Sequence, residues 1–104
     1  MNYEAPIFAP SDDPLQVTLL VLPESSMMSL ASTLDPMRAA NRVARRPLFA
    51  WRIVTADGAP ALLTCGVPVP AAGRFDRVCE GDALIVVAGF NQERHAGRAL
   101  LADL

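Results

Sequence analysis

Side chains that can act as nucleophiles or proton carriers are few in this chain of 104 residues. It has two cysteines, Cys65 and Cys79, and a single histidine, His95. A cysteine beside a histidine would provide a thiol nucleophile with its base. The spacing of the cysteines matches neither a zinc site nor a redox Cys-x-x-Cys motif, so we interpret them as small, buried or half-exposed thiols in a reducing compartment. His95 falls at the exposed start of a predicted helix, where we expect it to be solvated rather than catalytic.

A group of arginines offers a second kind of chemistry, the binding of phosphate. Its members are Arg38, Arg42, Arg45 and Arg46. However, the formal net charge of the chain is −2, and arginines at the end of a helix usually complement the helix dipole and face solvent. We therefore expect no nucleic-acid contact from this segment. The residue pattern also predicts no metal site and no cofactor.

Composition favours one globular domain. Apolar residues make up 52% of the chain and charged residues 19%, which is typical of a well-buried fold. No apolar run approaches the roughly 20 residues of a membrane span, and the first residues do not resemble a signal peptide. We expect a cytoplasmic protein without a membrane partner.

The elements that must position these residues alternate between strand and helix. Residues 1–15 are rich in proline and predict a flexible tail, and residues 16–104 predict one domain. The predicted elements are a strand at 16–23, a helix at 24–46, a strand at 49–55, a turn at 56–60, two edge strands within 61–70, a loop with room for one helical turn at 71–82, a strand at 83–90, and a helix at 91–104 that Asn91 caps.

The strands at 16–23 and 83–90 are continuous apolar runs, which indicates burial on both faces of a parallel sheet. The order predicts an α/β fold: a flavodoxin-like or Rossmann-like three-layer sandwich with a parallel sheet. Three strands and two helices do not cover both faces of such a sheet. We therefore expect either a partner chain or further residues of the same protein to complete it.

The first helix contains an unusual stretch, "TLDPMRAANR", at residues 33–42. Pro36 either kinks the helix or starts a new one with Asp35 as its cap, and we favour the kink because the apolar stripe keeps its phase. Asp35 is expected to pair with Arg38. Asn41 is expected to bind a neighbouring loop or strand end, with a ligand contact as the alternative. The stripe predicted to face the core is Met27, Leu30, Ala31, Leu34, Met37 and Asn41.

Three segments together resemble one known family. They are "VLPESSMMSLASTLDPMRAANRVARRPLFAWRIVTADGAP", "CGVPVPAAGRF" and "DALIVVAGF". The combination is similar to the N-terminal part of GlxA-type transcriptional regulators of the AraC class. That resemblance implies a ThiJ/PfpI-like, class I glutamine-amidotransferase-like domain, of which this chain would be the N-terminal half. It also implies a helix-turn-helix DNA-binding domain outside this chain.

The resemblance also bears on catalysis. Enzymes of the ThiJ/PfpI superfamily carry a cysteine on a strained turn, which would lie beyond Leu104, and a glutamate in the first helix. That glutamate position falls at about Ser29, and a serine cannot share a proton with a thiol. Where the superfamily tends to have two glycines that could bind an oxyanion, only Gly89 matches. We therefore expect a non-catalytic sensing and dimerisation module, with a thiol-dependent hydrolase or amidase, or a self-associating interaction module, as alternatives.

A ligand crevice in a parallel sheet lies at the carboxyl ends of the strands. This rule predicts that a small-molecule effector binds at Glu24, Ser25 and Ser26 after the first strand, and at Gly89, Phe90 and Asn91 after the last. The turn at 24–26 precedes a helix N-terminus, which favours an anionic group. The predicted partners are this effector, a second copy of the chain, and DNA through a separate domain.

Overall fold

A computed structural model describes residues 12–76 and 81–104. The predicted loop at Cys79 and most of the predicted tail lie outside these ranges. The described residues form six strands and three helices: β1 (Leu15–Val21), α1 (Met27–Ala44), β2 (Phe49–Thr55), β3 (Ala61–Leu62), β4 (Pro68–Val69), β5 (Gly73–Arg74), β6 (Ala83–Val87), α2 (Gln92–His95) and α3 (Arg98–Asp103).

The main sheet is parallel and has the order β5-β2-β1-β6. β1 occupies its centre, and alternate residues of β1 face two separate apolar clusters. Leu19 and Val21 contact the cluster that α1 and the β3–β4 hairpin cover, whereas Leu20 and Leu22 contact the cluster that includes Phe75 and Leu100. The α/β class and the burial of the first strand on both faces are thus confirmed.

The last strand departs from the prediction of a strand buried on both faces. β6 ends at Val87, and the three residues before Val87 are between 36% and 42% exposed. Their apolar run resembles that of β1, but β6 lies at the edge of the sheet that residues 12–76 and 81–104 form. The sequence shows that a strand is apolar, but the exposed fraction of its side chains depends on whether the strand is central or at the edge of the sheet.

Two further predictions about the second half were wrong in detail. The segment 71–82, predicted as a loop, contributes β5, which pairs with the end of β2. The single helix predicted at 91–104 is two short helices separated at Ala96 and Gly97, and Asn91 makes no capping hydrogen bond. Gly97 has little helical preference, and the break lets Ala96 and Leu100 pack on the sheet.

The edge hairpin predicted within 61–70 is confirmed as the antiparallel pair of β3 and β4, which forms a small sheet of its own. Pro68 stands in this short pair, where the lack of an N–H costs little. Cys65 at its tip is exposed, whereas we expected a buried or half-exposed thiol.

The first helix begins later than predicted and runs without a break through Pro36. Ser26 caps it by accepting a hydrogen bond from the Ser29 N–H at 3.0 Å. The unbroken helix excludes a restart at Asp35. The predicted ion pair is present, with Arg38 Nε 3.2 Å from Asp35 Oδ1.

The inward stripe of α1 is narrower than predicted. Leu30, Leu34 and Met37 pack on the sheet, but Met27 and Ala31 are exposed. The prediction for Asn41 is confirmed, because its side chain bonds the backbone at the start of β2.

Candidate functional site

Two turns meet at the carboxyl edge of the sheet, between β1 and β6. The chain leaves β1 toward β2 on one side, and β6 joins β1 on the other, so this edge is a topological switch point. Loops that diverge at such a point leave a crevice, which is where ligands of parallel α/β folds bind. The turn after β1 carries Glu24, and the turn after β6 carries Asn91, so the fold brings the two predicted segments together.

The backbones of these turns are bonded to each other and to the hairpin. The Glu24 N–H donates to the Leu62 carbonyl at 2.8 Å, and the Glu24 carbonyl accepts from the Phe90 N–H at 3.2 Å. Glu24 and Asn91 both have left-handed backbone conformations, with φ of 63° and 56°. Non-glycine residues adopt this region at a cost, and such positions concentrate at functional sites.

The side chain of Glu24 is held by two donors from the far end of the chain. Its Oε2 lies 2.8 Å from His95 Nε2 and 3.1 Å from Asn91 Nδ2. An ionised carboxylate can only accept hydrogen bonds, so the imidazole and the amide both donate to it. We refer to Glu24, Asn91 and His95 as the Glu24 cluster.

The Glu24 cluster combines partial burial with access to solvent. The His95 side chain is 23% exposed and that of Glu24 is 42% exposed. The hydrogen bond from His95, and next that from Asn91, hold the pKa of the Glu24 carboxyl below its ordinary value of 4.5, while burial opposes them. The cluster therefore presents a negatively charged acceptor at the switch point of the sheet, suited to a ligand group that donates a hydrogen bond.

The expectation of a solvated His95 was wrong. His95 lies four residues after Asn91, within one helical turn, and α2 begins at the same edge of the sheet as the turn that carries Glu24. The sequence predicts Asn91 and Glu24 at this edge but gives no such place to His95. The available signal was the complementary chemistry of an imidazole eight residues after the end of β6 and a carboxylate three residues after the end of β1.

The serines among the predicted site residues make hydrogen bonds within the fold. Ser25 is fully buried, and its hydroxyl donates to the Leu22 and Val87 carbonyls at 2.7 and 3.0 Å. The Ser26 hydroxyl caps α1 and donates to the Ser29 hydroxyl at 2.8 Å. Phe90 is 71% exposed at the same edge of the sheet. The binding role of all these residues stays a prediction.

Gly89 permits the contact between the two turns. A Cβ at this position would lie 2.5 Å from the Glu24 carbonyl oxygen and 2.9 Å from the Ser25 Cα. Both atoms belong to the backbone, so the clash could not be relieved by a side-chain rotation. The glycine therefore serves close packing between the two turns. Its predicted roles, in effector binding and as an oxyanion contact, stay predictions.

Replacement of Glu24 by glutamine tests the charge of the cluster. We expect Glu24→Gln to lower the Tm at neutral pH, because a neutral amide accepts more weakly from His95 and Asn91. A carboxyl whose pKa is lowered by folding stabilises the fold above its ordinary pKa, and this contribution is lost as the pH falls through the lowered value. The difference in Tm between the original chain and Glu24→Gln should thus have its largest value above pH 4.5 and decrease below that pH.

Thermal unfolding at several pH values measures this difference. The matched control is Glu93→Gln, because Glu93 is exposed on α2, the helix that carries His95. An equal Tm of Glu24→Gln and the original chain throughout the neutral range would contradict the assigned hydrogen bonds.

The described part of the chain shows neither a group of metal ligands nor a membrane-spanning helix. Among residues 12–76 and 81–104, no three histidine, cysteine, aspartate or glutamate side chains are grouped closely enough to hold a metal ion. Within the same ranges, none of the helices combines the length and apolar character needed to cross a membrane.

Comparisons with known proteins point to regulators of transcription. No protein-family model matches the chain. It is 39% identical over 82 residues to the HTH-type transcriptional regulator CdhR of Pseudomonas aeruginosa, covering 79% of this chain and 24% of that protein. It is 28% identical over 99 residues to the HTH-type transcriptional regulator GbdR of the same species, covering 94% of this chain and 27% of that protein. The chain thus spans about a quarter of the length of these curated relatives.

A solved structure gives the same indication. The crystal structure of an AraC family transcriptional regulator from Pseudomonas putida superimposes with a TM-score of 0.66 at 26% identity, over 75% of this chain and 49% of that one. The resemblance to AraC-class regulators is therefore confirmed at the level of relatives and fold, since the relatives named here are transcriptional regulators.

Proposed function

We propose that this chain is the effector-sensing part of an AraC-type transcriptional regulator, with the Glu24 cluster as the recognition point of its effector crevice. The observation that carries the proposal is the hydrogen-bonded group of Glu24, Asn91 and His95 at the switch point of the sheet. The similarity to CdhR and GbdR supports the regulatory role. In this proposal the protein acts in the cytoplasm as a homodimer, and a separate domain binds DNA.

The finer assignment is a GlxA-type sensing domain with a ThiJ/PfpI-like, class I glutamine-amidotransferase-like fold, of which residues 16–104 form the first part. Its support is the combination of sequence segments described above and the parallel sheet with helices on both faces. The share of the relatives that the chain spans agrees with a partial domain. Residues 1–15 would then precede the domain as a tail, although Leu15 itself begins β1.

We further propose that the domain senses without catalysing. The Glu24 cluster consists of a carboxylate, an amide and an imidazole, and none of these is a thiol nucleophile. At Ser29, where catalytic relatives are expected to carry a glutamate, the hydroxyl is bonded to Ser26. Cys65 lies exposed in the β3–β4 hairpin.

Effector binding is expected to depend on Glu24. The probe is a panel of amino acids, small amines and small carboxylic acids, screened by thermal unfolding of the chain. A ligand that binds only the folded state adds about 2.7 kcal/mol to the free energy of unfolding at a concentration 100 times its Kd. We expect stabilisers that carry hydrogen-bond donors, and we expect Glu24→Gln to weaken their effect.

The matched control for this screen is Glu93→Gln, which removes a carboxylate outside the cluster. Stabilisers that act equally on the original chain and on Glu24→Gln bind elsewhere and would contradict the proposed crevice. A panel in which only carboxylic acids stabilise the chain would instead favour the N-terminus of α1, next to the turn at 24–26, as the recognition point.

A further inference from the structure

The last two helices, α2 and α3, lie over one face of the sheet. Ala96, between the helices, and Leu100, in α3, pack against an apolar cluster of β1, β2 and the residue after β5. We refer to this group as the Phe75 cluster; its members are Leu20, Leu22, Val54 and Phe75. No residue of α2 or α3 is itself buried, and the helices have four and six residues. Isolated helices below about 12 residues are marginal in water, so α2 and α3 depend on the contacts that attach them to the sheet.

The Glu24 cluster supplies one of these attachments. His95 is the last residue of α2, and its Nε2 lies 2.8 Å from Glu24 Oε2. Asn91 stands directly before α2, and its Nδ2 lies 3.1 Å from the same oxygen. The carboxylate thus receives a donor from each end of α2. The two helices are therefore attached by polar contacts to Glu24 and by apolar packing on the Phe75 cluster.

The turn that leads from β6 into α2 is fixed by other contacts. The Phe90 N–H donates to the Glu24 carbonyl at 3.2 Å, and a Cβ at Gly89 would collide with the same carbonyl. The next residue, Asn91, has a left-handed backbone with φ of 56°. Residues at the ends of elements absorb the change of φ and ψ in hinge motions, and a left-handed asparagine is held there at some cost. Asn91 is therefore a position at which α2 can turn away while the turn stays in place.

We infer that α2 and α3 form a latch over the Phe75 cluster, which the Glu24 cluster fastens and which opens while the rest of the sheet stays folded. In the open state His95 and Asn91 leave Glu24, and the Phe75 cluster loses the cover of Ala96 and Leu100. The inference rests on the proposed function for its biological role, and it deepens that function by naming the element that responds to the effector.

The closed latch leaves Glu24 able to accept a further hydrogen bond. Its Oε1 has the longer contact, 3.3 Å from Asn91 Nδ2, and a carboxylate oxygen can accept two hydrogen bonds. An effector donor can therefore bond to Oε1 while Oε2 keeps His95 and Asn91. The carboxylate is held in this orientation in the closed state, so effector binding favours closure.

The charged groups around the latch determine how it responds to acid. On α2, Arg94 acts on Glu24 in addition to His95, and Glu93 is exposed. Arg98 begins α3. The hairpin of β3 and β4 and the first two turns of α1 contribute no carboxyl or basic group. Three more carboxylates line a hollow beside the last residue of α3, and they are Asp76, Asp82 and Asp103.

Amide hydrogen exchange, measured by NMR at neutral pH, tests whether the latch opens. The amides of Ala96 and Leu101 report α2 and α3, because they donate to the Gln92 and Gly97 carbonyls at 2.7 and 3.0 Å. The amide of Leu22, which is bonded to β6, reports the sheet. We expect the two latch amides to exchange faster than that of Leu22 and to depend less on urea, since a local opening exposes less surface. Equal rates and equal urea dependence would overturn the inference, because the helices would then unfold only with the sheet.

Acid tests whether Glu24 fastens the latch. In the closed state the hydrogen bond from His95, and next that from Asn91, hold the pKa of the Glu24 carboxyl below 4.5. These donors are absent in the open state, so the carboxyl returns toward its ordinary pKa. The group therefore stabilises closure above pH 4.5, and this contribution is lost as the pH falls through the lowered value. We expect the exchange of the latch amides, corrected for the intrinsic rate, to accelerate below pH 4.5.

Three variants separate the part of Glu24 in this response. Glu24→Gln should raise the exchange rate of the latch amides about threefold at neutral pH, because a partly exposed charged contact is lost. It should also reduce the acceleration in acid, and His95→Ala should act in the same direction. Glu93→Gln is the matched control and should behave like the original chain.

The other carboxylates remain in Glu24→Gln, so any acid response that persists in that variant belongs to them. If the whole acid response persisted, and the latch amides exchanged no faster at neutral pH, Glu24 would not fasten the latch. The packing of Ala96 and Leu100 would then hold the helices alone.

The response to an effector is tested with the compounds of the thermal screen that stabilise the chain through Glu24. A compound that binds only the closed latch slows exchange at Ala96 and Leu101 about tenfold at about ten times its Kd. A compound that slows exchange at Leu22 alone binds the open and closed states alike and would contradict the effect on closure. If the panel contains no stabiliser that depends on Glu24, the proposed function fails, whereas the opening measured without any ligand still decides whether the latch exists.

Discussion

Substitution of Gly89 by alanine is expected to lower the free energy of unfolding by about 3 kcal/mol. The added Cβ would stand 2.5 Å from the Glu24 carbonyl oxygen and 2.9 Å from the Ser25 Cα, so one of the two turns must move. The turn that carries Glu24 and Ser25 cannot move easily. The Ser25 side chain is anchored by its hydrogen bonds to Leu22 and Val87, and the Glu24 N–H is bonded to Leu62.

Equilibrium unfolding in urea measures this loss, with Gly73→Ala as the control. A Cβ at Gly73 would meet no heavy atom within 4 Å. The control should therefore keep the stability of the original chain or exceed it slightly, since alanine lowers the entropy of the unfolded state. If both variants were equally stable, the close contact of the two turns would not exist as described.

The same substitution should also impair the effector response. Any shift that relieves the clash moves the backbone of Glu24 away from Asn91 and His95. We therefore expect stabilisers from the thermal screen to lose their effect on Gly89→Ala at a temperature where the variant is still folded. Gly73→Ala should respond like the original chain, because β5 lies at the opposite edge of the sheet.

Substitution of Asn41 by alanine is expected to cost about 2–3 kcal/mol of stability. The amide of Asn41 donates to the Phe49 carbonyl at 2.9 Å and accepts from the N–H groups of Leu48 and Phe49 at 2.8 and 2.9 Å. Alanine would leave these three backbone groups without their partner in a half-buried place. Because the Leu48 carbonyl accepts from the Leu15 N–H, the loss should reach the first pairing of β1 with β2.

Urea unfolding of Asn41→Ala and Asn41→Asp separates the contributions to this loss. Aspartate keeps the acceptor for both N–H groups but removes the donor to Phe49, so we expect it to be intermediate in stability. Arg42→Ala is the control, since it shortens an exposed neighbour on the same helix. A loss in Asn41→Ala no larger than in Arg42→Ala would show that water replaces the amide without cost.

Features set by neighbouring residues were predictable from the sequence. β2 has the predicted bounds, the ends of α1 differ from the prediction by no more than one turn, and the Asp35–Arg38 pair forms within one turn of the helix. The positions of prolines likewise identified the edge hairpin. These features follow from the periodicity of apolar residues and from local hydrogen-bonding rules, which act over a few residues. The partner of Asn41 was predictable in kind, because a half-buried amide must be satisfied nearby.

Features set by distant residues were decided by the tertiary structure. Glu24 and His95 are 71 residues apart, and only the order β5-β2-β1-β6 brings their turns to the same edge. The similar apolar runs of β1 and β6 differ in burial because one strand is central and the other lies at an edge. Gly89 likewise gains its role from a backbone that arrives from the first strand. The sequence by itself thus determined most of the elements and their order, but neither β5 nor the break between α2 and α3. The tertiary contacts between those elements decided where the Glu24 carboxylate, the left-handed turn residues and the close contact at Gly89 lie. These features depend on contacts between distant residues, which no local pattern encodes.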